Sequence, residues 1–194
     1  GGSKIGIRAL NYGTGAVSVT STGAVSSLSN AGISVHNSSD GTDLEIVASS
    51  VTGGSDGILA TNNGAGALSV TATGAVTGTA GGNGVSATNF GTDLSISTAS
   101  VSGDSKGIYA RNYGSGALAI RSTGDVTGVF DDGISARNEG TDLTIFTALV
   151  SGETNGIYAR NNGNGDLSVT ATGSVAGTTM GGIFTMNDST GENL

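Results

Sequence analysis

The sequence predicts an all-β fold, a parallel β-helix of about eight coils, and three observations predict it. A Gly-Ile or Gly-Val pair recurs at Gly6, Gly32, Gly57, Gly84, Gly107, Gly133, Gly156 and Gly182, in steps of 26, 25, 27, 23, 26, 23 and 26 residues. Inside each unit apolar and polar residues alternate, which is the period of a strand. The composition suits strands around a narrow interior: 36 of 194 residues are glycine, none is proline or cysteine, and the apolar set is mostly Ala, Val and Ile.

Each unit divides into three short strands. In "GIYARNYGSGALAIRSTGDVTG", Ile108, Ala110 and Asn112 share one face; after a glycine turn come Leu118 and Ile120, and after a second turn Val126. The following unit repeats the plan with Ile134, Ala136 and Asn138, then Leu143 and Ile145, then Val150. Three strands in ~25 residues make one coil of a solenoid, and coils stacked at ~4.8 Å make eight of them a rod of roughly 40 Å. Alternate units match better than neighbours, with Gly6, Gly57, Gly107 and Gly156 separated by 51, 50 and 49 residues. The units therefore alternate in a super-repeat.

Asn11, Asn37, Asn62, Asn89, Asn112, Asn138, Asn161 and Asn187 close the first strand of every unit. Each lies four residues after an inward Ile or Val and shares its parity. A buried amide needs partners, and a stack supplies them: each carboxamide bonds the one above and the one below. The spacing predicts an internal asparagine ladder. Asn37 and Asn187 sit in N-x-S patterns, but an inward amide is closed to a glycan. The glycines that open each unit are expected where the backbone bends tightly or takes positive φ.

Composition excludes several classes. A net charge of -8 with only seven Lys and Arg argues against nucleic-acid binding. No run approaches the ~18 apolar residues of a membrane span. Without cysteine there is no disulfide or thiolate metal site. "GGS" at Gly1 reads as a linker, so residues 1–4 are expected to be linker, 5–187 one domain, and 188–194, ending in "ENL", a tail.

The run from Gly107 to Gly128, with its partner "GTDLTIFTALVSG", resembles the repeats of passenger regions in large bacterial autotransporters. The resemblance spans Ile5 to about Asn187. It implies a right-handed β-helix carried across the outer membrane by a C-terminal barrel in the parent chain. It also implies an extracellular location and a role as adhesin, stalk or surface protein.

Outward positions are where chemistry would sit. On the first strand they are Arg8 and Leu10, Ser34 and His36, Leu59 and Thr61, Ser86 and Thr88, Tyr109 and Arg111, Ser135 and Arg137, Tyr158 and Arg160. Tyr109, Arg111, Arg137, Tyr158 and Arg160 thus form a candidate strip for a host glycan or an acidic protein surface. The plainer alternative pairs these arginines with Asp104, Asp131, Asp132, Glu139 and Glu153. Phe90 and Tyr113 are expected to stack between adjacent coils.

An active site is harder to place. Glycoside cleavage needs two close carboxylates, whereas the acids here are scattered. Asp43, Asp93 and Asp142 recur in "GTDL" every second coil and read as turn caps. Asp131 and Asp132 are the only adjacent acids and a weak calcium candidate. His36, the only histidine, has no nucleophile beside it. Hydroxyl pairs Ser18/Thr20, Ser69/Thr71 and Ser168/Thr170 suggest an ice-binding face, but Glu45/Val47, Ala119/Arg121 and Thr144/Phe146 interrupt it. The expectation is a non-enzymatic surface segment with no cofactor, able to associate end to end. A carbohydrate-binding or carbohydrate-degrading β-helix is the alternative.

Overall fold

The computed structural model describes residues 5–188, so the expected linker at 1–4 and all of the expected 188–194 tail except Asp188 lie outside the described residues. Among the described residues every regular element is a strand. The strands form three parallel sheets, of eight, seven and seven strands. Sheet 1 stacks the first strand of each coil, from Ile7–Asn11 to Gly181–Asn187, sheet 2 the second, and sheet 3 the short third. The chain is a parallel β-solenoid of about seven turns. Each strand pairs with the equivalent strand of the coils before and after it, so no helical crossover is needed to keep the strands parallel.

The register carries the sequence repeat into space without slippage. Ile33 pairs with Ile58, Ile58 with Val85, and Val85 with Ile108, and the Asn column follows the same strands. In sheet 2, Leu44, Leu68, Leu94, Leu118 and Leu143 form one inward column and Ile46, Val70, Ile96, Ile120 and Ile145 another. Sheet 3 adds Val51, Val76, Val101, Val126 and Val150. These columns merge into one core running the length of the rod. Because the side-chain period is two, a one-residue slip would turn a whole column outward, and this fixes the register. Ile7, Val17, Val25, Val169 and Val175, in the outermost turns, are only partly buried.

The super-repeat comes from the corners. The second strands keep five residues throughout, but the link between second and third strands alternates: residues 22–24, 49–50, 73–75, 99–100, 123–125, 148–149 and 172–174. Odd coils therefore turn this corner with three residues and even coils with two.

The glycines that open each coil are explained by closeness rather than by positive φ. A Cβ on Gly107 would lie 2.6 Å from the Gly133 carbonyl oxygen and 2.6 Å from Val126 Cγ1. Gly6, Gly32, Gly57, Gly84, Gly133 and Gly156 meet the same kind of neighbours. Positive φ is found instead at Ala80 and Gly81, in the turn between sheets 3 and 1.

Candidate ligand-binding face

The asparagine ladder fixes one corner of every coil and so sets the rigidity of the face beside it. Nδ2 donates to the next Oδ1 from Asn11 to Asn37 (2.8 Å), Asn37 to Asn62 (2.8 Å), Asn62 to Asn89 (3.0 Å), Asn89 to Asn112 (3.0 Å), Asn112 to Asn138 (2.9 Å) and Asn138 to Asn161 (3.0 Å). The second amide hydrogen goes to a corner carbonyl, as from Asn89 to Thr92 and Asp93. Asn187 continues the register and donates to the Gly165 carbonyl. Six of these asparagines, Asn37 to Asn161, are fully buried.

Outside this corner lies the outer face of sheet 1. Arg111, Arg137 and Arg160 occupy partner positions on three consecutive strands. Tyr109, Ser135, Tyr158 and Phe184 form the parallel row beside them. The structure thus brings the strip residues Tyr109, Arg111, Arg137, Tyr158 and Arg160 together on one surface. Tyr158 stacks on Phe184 at 5.1 Å between ring centroids, and Phe90 on Tyr113 at 5.1 Å. At the other end of the face, Tyr12 packs near His36 beside a shallow groove lined by Arg8, Leu10, Leu59 and Thr61.

Two expectations need correction. Ser135, assigned outward by parity, is buried (2% exposed) because neighbouring long side chains cover it; Arg111 donates to its hydroxyl and carbonyl. The arginines also pair differently from the expected set of acids. Arg137 Nη2 meets Glu139 Oε1 at 2.7 Å, but Arg160 binds Asp188, and Arg111 stacks 4.2 Å from the Tyr109 ring centroid.

Asp131 and Asp132 are engaged elsewhere. Lys106 binds Asp131, while Asp132 Oδ1 accepts from the backbone and side-chain amides of Asn155 at 3.2 and 2.8 Å. The Thr154 hydroxyl lies between the two carboxylates. Burial pushes the Asp131 carboxyl up, but the hydrogen bond and charge of Lys106, with Thr154 and the Asp132 amide, outweigh it. The net position is below the usual carboxylate range. Among the described residues no group of three or more His, Asp or Glu is placed to hold a metal ion. Asp43, Asp93 and Asp142 do cap backbone, though on the following coil: their Oδ1 atoms accept from the amides of Ala67, Ala117 and Asp166 at 2.8 Å each.

Sequence reasoning missed Phe184, although it lies 26 residues beyond Tyr158, one coil on, and the repeat itself places it there. It also missed the contact of Arg121 with Phe146 on sheet 2, where the guanidinium sits 4.8 Å from the ring centroid. Both residues had appeared only as interruptions of the hydroxyl array. Comparison with protein-family models, curated proteins and solved structures finds no match.

Proposed function

We propose that this chain is a rigid, non-enzymatic segment of a secreted bacterial surface protein, and that the outer face of sheet 1 is its contact surface for a host glycan or protein. One observation carries the reading. Of eight aromatic residues, six (Tyr12, Phe90, Tyr109, Tyr113, Tyr158 and Phe184) lie on this face or its corner, with four of the five arginines (Arg8, Arg111, Arg137 and Arg160). Nothing in a solenoid core requires that bias, since the core is built from Ile, Val, Leu, Ala and Asn. Aromatic and arginine side chains supply contact area and directional donors, and they concentrate where surfaces recognise partners. The ladder and the core columns hold these groups on a fixed spacing.

The proposed parent is an autotransporter-like chain ending in an outer-membrane barrel, which sequencing of its gene beyond this segment would test. The contact surface is tested by binding of the chain to host cells and arrayed glycans. Replacing Arg111, Arg137 and Arg160 together with Ala is expected to abolish binding, with the thermal unfolding curve kept close to the parent's. Binding that is unchanged in the triple variant overturns the assignment of this face.

A further inference from the structure

One coil of sheet 1 differs from all the others. Its outward residues, continued to the corner, read Tyr109, Arg111, Tyr113, spaced ~6.7 Å apart along the strand. No other coil sets an arginine between two aromatic residues: the flanking ones read Ser86, Thr88, Phe90 and Ser135, Arg137, Glu139. Phe90, half exposed, extends the aromatic surface by stacking on Tyr113.

The arginine in this coil also differs from its neighbours. Arg137 and Arg160 each hold a carboxylate, Glu139 and Asp188. Among the described residues Arg111 holds none. Its guanidinium is laid against Tyr109, and its Nη atoms reach the Ala110 and Ser135 carbonyls and the Ser135 hydroxyl at 3.2 to 3.4 Å, at the long end for hydrogen bonds. A planar guanidinium oriented by a ring and left without an anion is suited to receive a carboxylate in two-pronged fashion.

We propose that Arg111 is the carboxylate-reading residue of this face, and that the ligand is a glycan bearing a carboxylate sugar, a uronic or a sialic acid. The carboxylate sits on Arg111 and a neighbouring sugar ring rests on the Tyr113 and Phe90 rings. This rests on the reading of sheet 1 as a contact surface. A carbohydrate fits better than an acidic peptide. Extended peptides draw much of their affinity from a free sheet edge, and the strand Ile108–Asn112 is paired on both sides. The face offers side chains only.

The test measures binding of the chain to a sialylated oligosaccharide, a hexuronate oligosaccharide, the carboxyl-reduced form of each, and a poly-glutamate peptide. Arg111→Gln is compared with Arg121→Gln, which removes a similar arginine-on-ring contact from sheet 2. Circular dichroism melts confirm that both variants stay folded. The expected result is binding of one acidic glycan, which identifies the sugar as sialic or uronic. Carboxyl reduction and Arg111→Gln each weaken it about tenfold or more, the usual scale for losing a charge-assisted contact, and Arg121→Gln leaves it unchanged. Equal binding of the reduced glycan, or full binding by Arg111→Gln, overturns the carboxylate inference while the contact-surface reading survives. Arg111-dependent capture of the peptide without any glycan overturns it in favour of a protein partner. Binding to none of these, with attachment to host cells intact, overturns it as well, and loss of host-cell attachment too removes the underlying reading.

Discussion

The carboxamide of Asn89 accepts a hydrogen bond from Asn62 and donates one to Asn112, both at 3.0 Å, inside a corner closed to water. Each amide in this column is at once a strut between coils and a clamp on its own turn. A defect in the middle takes a hydrogen-bond partner from the buried amides on both sides.

Asn89→Ala is therefore expected to cost about 2–4 kcal/mol, since it strands an Asn62 amide hydrogen and takes one donor each from the Asn112 oxygen and the Thr92 and Asp93 carbonyls, which keep the Gly114, Gly116 and Leu68 amides. Asn11→Ala, at the half-exposed end of the ladder, should cost roughly half as much or less. Urea unfolding monitored by circular dichroism measures both. Equal costs at the two positions would mean that burial of the ladder contributes little.

The glycine column yields a second prediction. Gly107→Ala drives a methyl group to 2.6 Å from the Gly133 carbonyl and 2.6 Å from Val126, both held by pairing or packing, so about 1–3 kcal/mol of destabilisation is expected. At Gly23 a Cβ meets nothing within 4 Å, and Gly23→Ala should be neutral or stabilising by up to about 1 kcal/mol through the unfolded chain. Matching melting temperatures for the two variants would refute the close-approach explanation.

Asp131 gives the fold a local acid sensitivity. Its carboxyl titrates below the ordinary value in the folded chain, held there by Lys106 and Thr154 against the opposing effect of burial. A depressed folded value means that the contribution is fully present above the unfolded carboxyl's pKa and is lost as pH falls through the folded one. Stability should therefore drop below about pH 4, and Asp131→Asn should lose part of that drop while being less stable at pH 7. If the variant and the parent show parallel stability profiles between pH 2 and 7, the Lys106 pairing has no energetic weight.

Much of this architecture was legible because it repeats. Ile58, Ala60 and Asn62 reappear at each coil with the same parity, and repetition averages out the local ambiguity of any single strand. The ladder and the Phe90–Tyr113 stack followed from register alone. Ser135 did not: parity reports which way a side chain leaves the sheet, whereas its burial depends on Arg111 folding over it. The partners of the arginines were illegible for a related reason. Long exposed side chains have several acids within reach, and choices between such pairs are worth a few tenths of a kcal/mol. The glycine column was located correctly but credited to backbone conformation, because sequence spacing does not show how close two coils approach.

The bond from Asp93 to the next coil couples two positions that the sequence keeps apart. Asp93 Oδ1 accepts from the Ala117 amide at 2.8 Å, and that carboxylate occupies the space a Cβ on Gly116 would need. Asp93→Ala should cost about 0.5–1.5 kcal/mol, because the orphaned amide is exposed and water replaces the acceptor. Gly116→Ala in the parent should cost more, since it must displace the carboxylate and crowds the Thr92 carbonyl carbon at 2.9 Å. In the Asp93→Ala background the first of these penalties is gone and only the second remains. The double variant should therefore be more stable than the sum of the singles by about 0.5–2 kcal/mol, the range for residues in direct contact. Additivity within about 0.3 kcal/mol would show that the glycine is required by the neighbouring backbone alone, and that Asp93 merely caps a turn that already had room for it.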